Sequence, residues 1–204
     1  MRVLFYTDIT WSLGAIHNQL VKEFYSRGIY SNVLNWDVMY SQKELEHLNK
    51  LYDVFVTLPG QQVNYLISGG IPPEKIIAIT HGRYDVMHGV QMNNPWSRLK
   101  KLGGVSPDVA MTFKALGVST EVHVVQHGID FDLFYREPAK KLSRIGYFGS
   151  NFAMDVLDNN KDCKRKYIAE EISRAVNLPL IGTGGKLVNL CMSSLYNTID
   201  CLIM

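Results

Sequence analysis

The stretch Val124-Val125-Gln126-His127-Gly128-Ile129-Asp130-Phe131-Asp132-Leu133-Phe134 is an apolar strand that runs into a glycine turn, an aspartate and an aromatic anchor. A second apolar strand opens at Arg144-Ile145-Gly146-Tyr147-Phe148-Gly149-Ser150-Asn151. Strand, Gly-Asp turn, charged linker and fresh strand together mark the seam between two α/β domains. We expect a first domain over 1–138, a linker over 139–143 and a second domain starting over 144–204. Open α/β sheets take ligands in the crevice outside the carboxyl ends of their strands. Two such sheets are therefore expected to face each other across a cleft.

The pattern extends outward from this seam. Residues 2–7 are short, apolar and β-rich, which reads as a buried strand. Ser12-Leu13-Gly14 turns into a helix that carries Ile16, Leu20, Phe24 and Tyr25 near helical spacing and stops at Gly28. Further strands are expected over 32–36, 52–58, 76–80, 104–106 and 121–126, with helices over 42–51, 61–68 and 108–116. Residues 83–97 are rich in Gly, Asn, Met and Pro without a clear period and read as a loop or a broken helix. Past the linker, strands over 144–148, 178–181 and 200–204 alternate with helices over 162–176 and 188–196. Such alternation, nearly free of hairpin signals, predicts parallel sheets with helices on both faces. The fold class is thus α/β with two Rossmann-like units. The second, at about 60 residues, is too short for an ordinary independent domain of this kind and reads as incomplete.

Composition narrows the function classes. A 47% apolar, 20% charged chain of 204 residues has ample core for a globular protein. Its formal net charge of +2 gives no case for nucleic acid as the main partner. Cys163, Cys191 and Cys201 are odd in number and lack a Cys-x-x-Cys pair, so neither a disulfide framework nor a zinc ribbon is indicated. No apolar run approaches the roughly 18 residues of a spanning helix, and the first residues open a strand rather than a leader. A cytoplasmic, reducing setting is expected. The basic run at 98–101 is the one stretch suited to peripheral contact with anionic lipid, though it lacks an apolar face.

Candidate ligand residues gather at predicted strand ends. Gly14 precedes a helix and is either a turn glycine or the place where a phosphate approaches backbone amides. No Gly-x-Gly-x-x-Gly follows the first strand, which argues against a nicotinamide or flavin site there. His81, followed by Gly82, ends a strand where a cleft-facing polar residue belongs; the plain alternative is a loop histidine bonded to backbone. Asp85 and His88 nearby make a weaker, metal-binding alternative, with no regular ligand spacing behind it. Gly182 and Gly184 form a glycine cluster at another strand end. Lys161, Lys164, Arg165 and Lys166 open a helix, where cations oppose the helix dipole. They read as a solvated face or as the partners of an anionic ligand.

In order, these motifs resemble the GT-B-fold glycosyltransferases of the large retaining group called family 4, over essentially the whole chain. Gly14 matches the glycine that opens the family's first helix, and His17 a polar residue that follows it. Thr80-His81-Gly82 resembles its strand-end Thr-x-His-Gly, and Gly104-Val105-Ser106 its x-Val-Ser strand. His127-Gly128-Ile129-Asp130 with Phe134 is similar to its Asn-Gly-Ile/Val-Asp…Phe. Ile145 to Gly149, Leu180 to Gly184 and Leu195-Tyr196…Asp200 resemble successive strands of its donor domain.

The resemblance implies transfer of a sugar from a nucleotide-sugar donor to an acceptor, with retention and without metal. Asp130-Phe131-Asp132, after a late strand and flanked by His127-Gly128 and Leu133-Phe134, reads as a turn that caps the domain or as the Asp-x-Asp metal signature of another glycosyltransferase architecture. The resemblance implies His81 as the catalytic-site residue against the donor sugar. Gly14, Gly149, Ser150, Lys161, Lys164, Arg165, Gly182 and Gly184 are implied as the donor-binding set. Ser150-Asn151 depart from the family's arginine after the donor-domain glycine, and Lys161 or Lys164 stands for its lysine. The chain ends before the family's Glu-x7-Glu segment, so the donor site is expected to be completed by a further carboxy-terminal segment or a partner chain. The alternative from another class is a non-catalytic α/β binding or assembly module that works with such a partner.

Overall fold

A computed structural model describes residues 1–9, 12–128, 143–147, 166–182 and 201–202. The chain divides into two compact units, Met1–Gly128 and Ile129–Met204. The first is a parallel sheet of β1 (Arg2–Thr7), β2 (Tyr30–Asn35), β3 (Val54–Thr57), β4 (Ile76–Thr80), β5 (Lys101–Gly104) and β6 (Val122–Val124). Between the strands run α1 (Ser12–Ser26), α2 (Gln42–Leu51), α3 (Gln61–Ser68), α4 (Arg83–Gln91) and α5 (Pro107–Ala115). The strand order is β2-β1-β3-β4-β5-β6, so the winding reverses between β1 and β3.

That order and the hand of the crossovers dictate which face each helix covers. Parallel strand-helix-strand units are right-handed almost without exception. Stepping from β1 outward to β2 puts α1 on one face, and every later step runs the other way and puts α2 to α5 on the opposite face. The core splits accordingly. Val3 and Phe5 of β1, with Val54 and Val56 of β3, pack under Leu20, Val21 and Phe24 of α1. Leu4, Tyr6, Phe55, Ile76, Ala78 and Leu102 pack with Leu45 of α2, Val63 and Leu66 of α3, Val86 of α4 and Phe113 of α5. Burial on both faces is why β1 and β3 read as unbroken apolar runs. On the α1 face, Ile77 and Ile79 of β4 are only partly covered.

Local signals fix several boundaries. Ser41 caps α2: the amide of Glu44 donates to its hydroxyl, and the Glu44 carboxylate accepts from the Ser41 amide in return. Helices 42–51 and 61–68 and strand 76–80 lie where the sequence places them. Residues 83–97 do not: the expected loop or broken helix is α4, followed by a short 3-10 turn at Trp96–Arg98. Asp85 starts that helix by accepting from the amides of His81 and Gly82 at 3.0 and 3.1 Å. Its buried face is only Val86 and Gly89, the latter lying under the Trp96 ring, so the helical period is faint in sequence. The strand expected over 104–106 is β5, which ends at Gly104, because Leu102 is its buried anchor.

In the second unit, β7 (Ile145–Tyr147), α6 (Lys166–Val176), β8 (Leu180–Gly182) and β9 (Cys201–Leu202) form a separate parallel sheet of order β8-β7-β9. Its first strand is central, with the second and third strands on either side, as β1 lies between β2 and β3. The strands past Ser143 therefore start a new doubly wound sheet rather than extend the first. Residues 139–142 of the expected linker and the helix over 188–196 lie outside the described residues. Among the described residues, no helix is long and apolar enough to cross a membrane.

Gly14 shows what the turn from β1 into α1 demands. A Cβ built there would lie 2.6 Å from the Asp8 carbonyl oxygen and 2.8 Å from Ile9 Cα, both backbone atoms that cannot step aside. Gly14 lies in the first turn of α1, so replacing it gains at most about 1 kcal/mol in helix propensity, whereas overpacking costs about 1–3 kcal/mol. Gly14→Ala is expected to destabilise the first unit by about 1–2 kcal/mol net. All three tryptophans (Trp11, Trp36 and Trp96) lie in that unit, so a urea titration followed by their fluorescence reads it selectively. An unchanged or raised midpoint would contradict the packing argument.

Candidate functional site

The carboxyl ends of β1, β4 and β6 bring together three of the chain's six histidines. Strand alternation explains how. Side chains two residues apart share a sheet face, so His81 continues the line of Ile77 and Ile79 past the end of β4. His127 likewise continues the line of Val125 past β6. Between these strands lies β5, whose Gly103 has no side chain on that face. A Cβ there would lie 3.2 Å from Val125 Cγ2 and 3.3 Å from Ile79 Cγ1. With that space left open, the side chains of β4 and β6 meet over β5.

The result is a contact between His81 and His127, with His127 Nε2 2.9 Å from His81 Nδ1. Their rings lie 24° apart in plane with centroids separated by 4.6 Å. His17, on α1, is 4% exposed and stacks on Phe5 at 4.9 Å. Its ring meets that of His81 edge-on at 6.3 Å. Three polar atoms at this edge are buried and have no hydrogen-bond partner among the described residues: Thr7 Oγ1, His17 Nδ1 and His81 Nε2. Buried polar groups in folded proteins are nearly always paired. Orphans clustered at strand ends, on the ligand side of such a sheet, are therefore informative.

The cluster is uncharged at neutral pH. Burial, reinforced by His127 and His17, pulls the His81 imidazole down to about 3. Burial, reinforced by His127, holds His17 at about 4. Burial also lowers His127. Such rings can offer or accept hydrogen bonds but cannot neutralise a phosphate.

The Asp8 carboxylate, 2% exposed, accepts from the amide of Gly14 at 3.3 Å. The opening of α1 thus already carries an internal anion. Thr80 and Asp85 organise the far side: the Thr80 hydroxyl and the amides of His81 and Gly82 all converge on Asp85 Oδ2 at 3.0–3.1 Å. Asp85 holds the His81 turn as a helix cap, while His88 stacks on Tyr84 at 6.0 Å. His81, Asp85 and His88 are not assembled as ligands, and among the described residues no group of three His, Cys, Asp or Glu is placed to hold a metal.

Of the residues singled out from sequence, His81, Gly14 and His17 lie at this edge. Gly182 ends β8 in the second unit. Gly149, Ser150, Lys161, Lys164, Arg165 and Gly184, with Asp130 and Asp132, lie outside the described residues. Asp8, Thr7 and the His81–His127 contact were not anticipated. The latter was legible in principle from the alternation 77, 79, 81 and 125, 127 flanking a Gly-Gly strand.

No family model matches the chain, and no curated protein matches its sequence. Among solved structures, the chain is similar to an alpha-glucosyltransferase in complex with UDP and a 13-mer DNA containing a central A:G mismatch. The TM-score is 0.56 at 10% identity, covering 89% of this chain and 55% of that one. This chain thus spans about half the length of that protein. The likeness is one of fold: an α/β, Rossmann-like architecture similar to that of a GT-B glycosyltransferase. Slighter likenesses involve a LacI family transcriptional regulator from Arthrobacter sp. FB24 in complex with lactose (TM-score 0.38, 14% identity, 89% of this chain and 56% of that one). Another is a ligand-free, open substrate-binding protein with adhesive properties from Clostridium difficile (0.30, 14%, 98% and 64%). Neither bears on the fold.

Neutral burial makes the cluster sensitive to acid. In the unfolded chain each histidine takes a proton near pH 6.5, while in the fold His17 and His81 resist until about 4 and 3. Between those limits the unfolded state binds more protons, so stability rises with pH and is lost as pH falls through the window. From pH 7 to 5.5 each of the two should contribute a loss of about 1 kcal/mol. His17→Gln is expected to flatten that fall by about this amount in fluorescence-detected unfolding at the two pH values. A wild-type slope in the variant would mean that His17 is not held neutral.

Proposed function

We propose that the protein acts in glycosyl transfer, moving a sugar from a nucleotide-sugar donor to an acceptor hydroxyl with retained anomeric configuration. One observation carries the reading: an uncharged, buried edge of Thr7, His17 and His81 with unpartnered polar atoms. It sits on a fold like that of a UDP-bound glucosyltransferase. Sugar hydroxyls both donate and accept, and so complement neutral imidazoles and a threonine hydroxyl. A phosphate asks for positive charge or free amides, and the Gly14 amide at this edge is already taken by the Asp8 carboxylate.

The roles divide accordingly. His81 meets the donor sugar through Nε2, and His17 and Thr7 extend that polar floor. A donor phosphate at the Gly14 amide would have to displace the Asp8 carboxylate, itself an anion. The diphosphate-binding roles of Gly149, Ser150, Gly182, Gly184, Lys161, Lys164 and Arg165 remain what the family resemblance implies. Stabilising a leaving diphosphate in a desolvated site is worth several orders of magnitude in rate. In the net reaction the acceptor oxygen bonds to the anomeric carbon, the carbon–phosphate-oxygen bond breaks, and the acceptor proton leaves with the diphosphate.

The test is incubation of the full chain with UDP-, GDP- and ADP-sugars, following donor binding by ligand-observed NMR and release of nucleoside diphosphate. At least one donor should bind and be cleaved. His81→Ala should lower kcat/KM about a hundredfold while still showing a cooperative fluorescence-detected unfolding transition. Absence of binding and release with every donor, or an undiminished His81→Ala variant, would overturn the assignment.

A further inference from the structure

We infer that His127 is a positioning residue: its Nε2–H donates to Nδ1 of His81 and so holds His81 as the tautomer that carries its own proton on Nε2. The inference starts from the 2.9 Å separation of His127 Nε2 and His81 Nδ1. A hydrogen bond at that distance holds one proton between two ring nitrogens. Between neutral rings only two arrangements exist. In one, His127 donates, and both rings carry their proton on Nε2. In the other, His81 donates, and both rings must carry it on Nδ1. An imidazole side chain left to itself favours the Nε2–H form, so the first arrangement satisfies both residues and the second strains both.

Nothing else described around His81 competes for its Nδ1. Asp85 Oδ2 is engaged by the Thr80 hydroxyl and the amides of His81 and Gly82. His17 approaches edge-on with ring centroids 6.3 Å apart. A charged pair, with a proton on each of three nitrogens, is disfavoured because burial lowers the affinity of all three histidines for an extra proton.

The consequence is chemical. The buried, unpartnered nitrogen of His81 is a hydrogen-bond donor, not a lone pair, so His81 can hold a ligand oxygen in place but cannot take a proton from one. It follows that His81 orients a sugar oxygen and is not a general base. That use of the proton rests on the glycosyl-transfer reading above; the tautomer itself does not.

The experiment separates the two. Long-range proton–nitrogen correlation spectra of the nitrogen-15-labelled full chain at pH 7.5, with His81→Gln for assignment, report directly which nitrogens carry protons. His81 is expected to show an unprotonated Nδ1 and a protonated Nε2. In His127→Ala the His81 signals should move toward a tautomer average, and in His127→Gln, whose amide still donates, they should return toward the wild type. A wild-type His81 protonated on Nδ1, or signals indifferent to His127→Ala, would overturn the proposal. In the transfer assay, His127→Ala should lower kcat/KM about tenfold with partial recovery in His127→Gln. If the spectra are as expected but no donor is turned over, the glycosyl-transfer reading fails and the His127–His81 pairing stands.

Discussion

The handedness of the crossovers governs this molecule. Because each strand-helix-strand step turns to the right, a sheet that starts one strand in from its edge must change helix face where the winding reverses. Here that reversal falls between β1 and β3. One helix, α1, covers one face, while α2 to α5 cover the other, as the two core clusters show. The thinner covering on the α1 face leaves the ends of β4 and β6 free to project polar side chains there. Doubly wound sheets bind ligands at such a reversal for the same reason. The second unit repeats the device in miniature, with β7 central between β8 and β9.

On that thinly covered face the chain places rings rather than charges. His17 is wedged by its stack on Phe5, and His81 and His127 meet across the gap left by Gly103. Desolvation without a carboxylate partner costs proton affinity: His17 and His81 stay neutral until about pH 4 and 3, and His127 is lowered in the same direction. Charge at this edge belongs to Asp8, tied to the Gly14 amide. The chemistry offered is therefore hydrogen bonding of fixed direction in a low-dielectric setting, where one well-placed bond counts for more than in water. Such an edge suits recognition and orientation of hydroxyls. It is poorly suited to neutralising an anion.

Much of this was visible in the chain itself, and the exceptions have physical causes. The α/β alternation was legible because strands buried on both faces are continuous apolar runs, as in Val-Leu-Phe-Tyr of β1. α2 declared itself through the Ser41–Glu44 box. α4 did not, because its buried face consists of Val86 and Gly89 and its start is fixed by Asp85 reaching back to the His81 turn. His81 could be singled out from its place at a strand end. Its partner, His127, is 46 positions away, and the alternation that aims both rings at each other becomes informative only once the strand order puts β4 and β6 on either side of β5. Gly14 carried an ambiguous signal: a ligand-approach glycine and a packing glycine look alike in sequence. The Asp8 and Ile9 backbone supplies the packing reason.

The account stands on the buried Nε2 of His81 being reserved for an oxygen of a bound sugar. A crystal structure of the protein with a nucleotide-sugar bound addresses this most directly. The account predicts a sugar oxygen about 2.7–3.2 Å from His81 Nε2, with the imidazole still joined to His127 on its other side. A bound donor whose sugar lies away from His81, or a His81 Nε2 satisfied by a protein side chain in the complex, would contradict it.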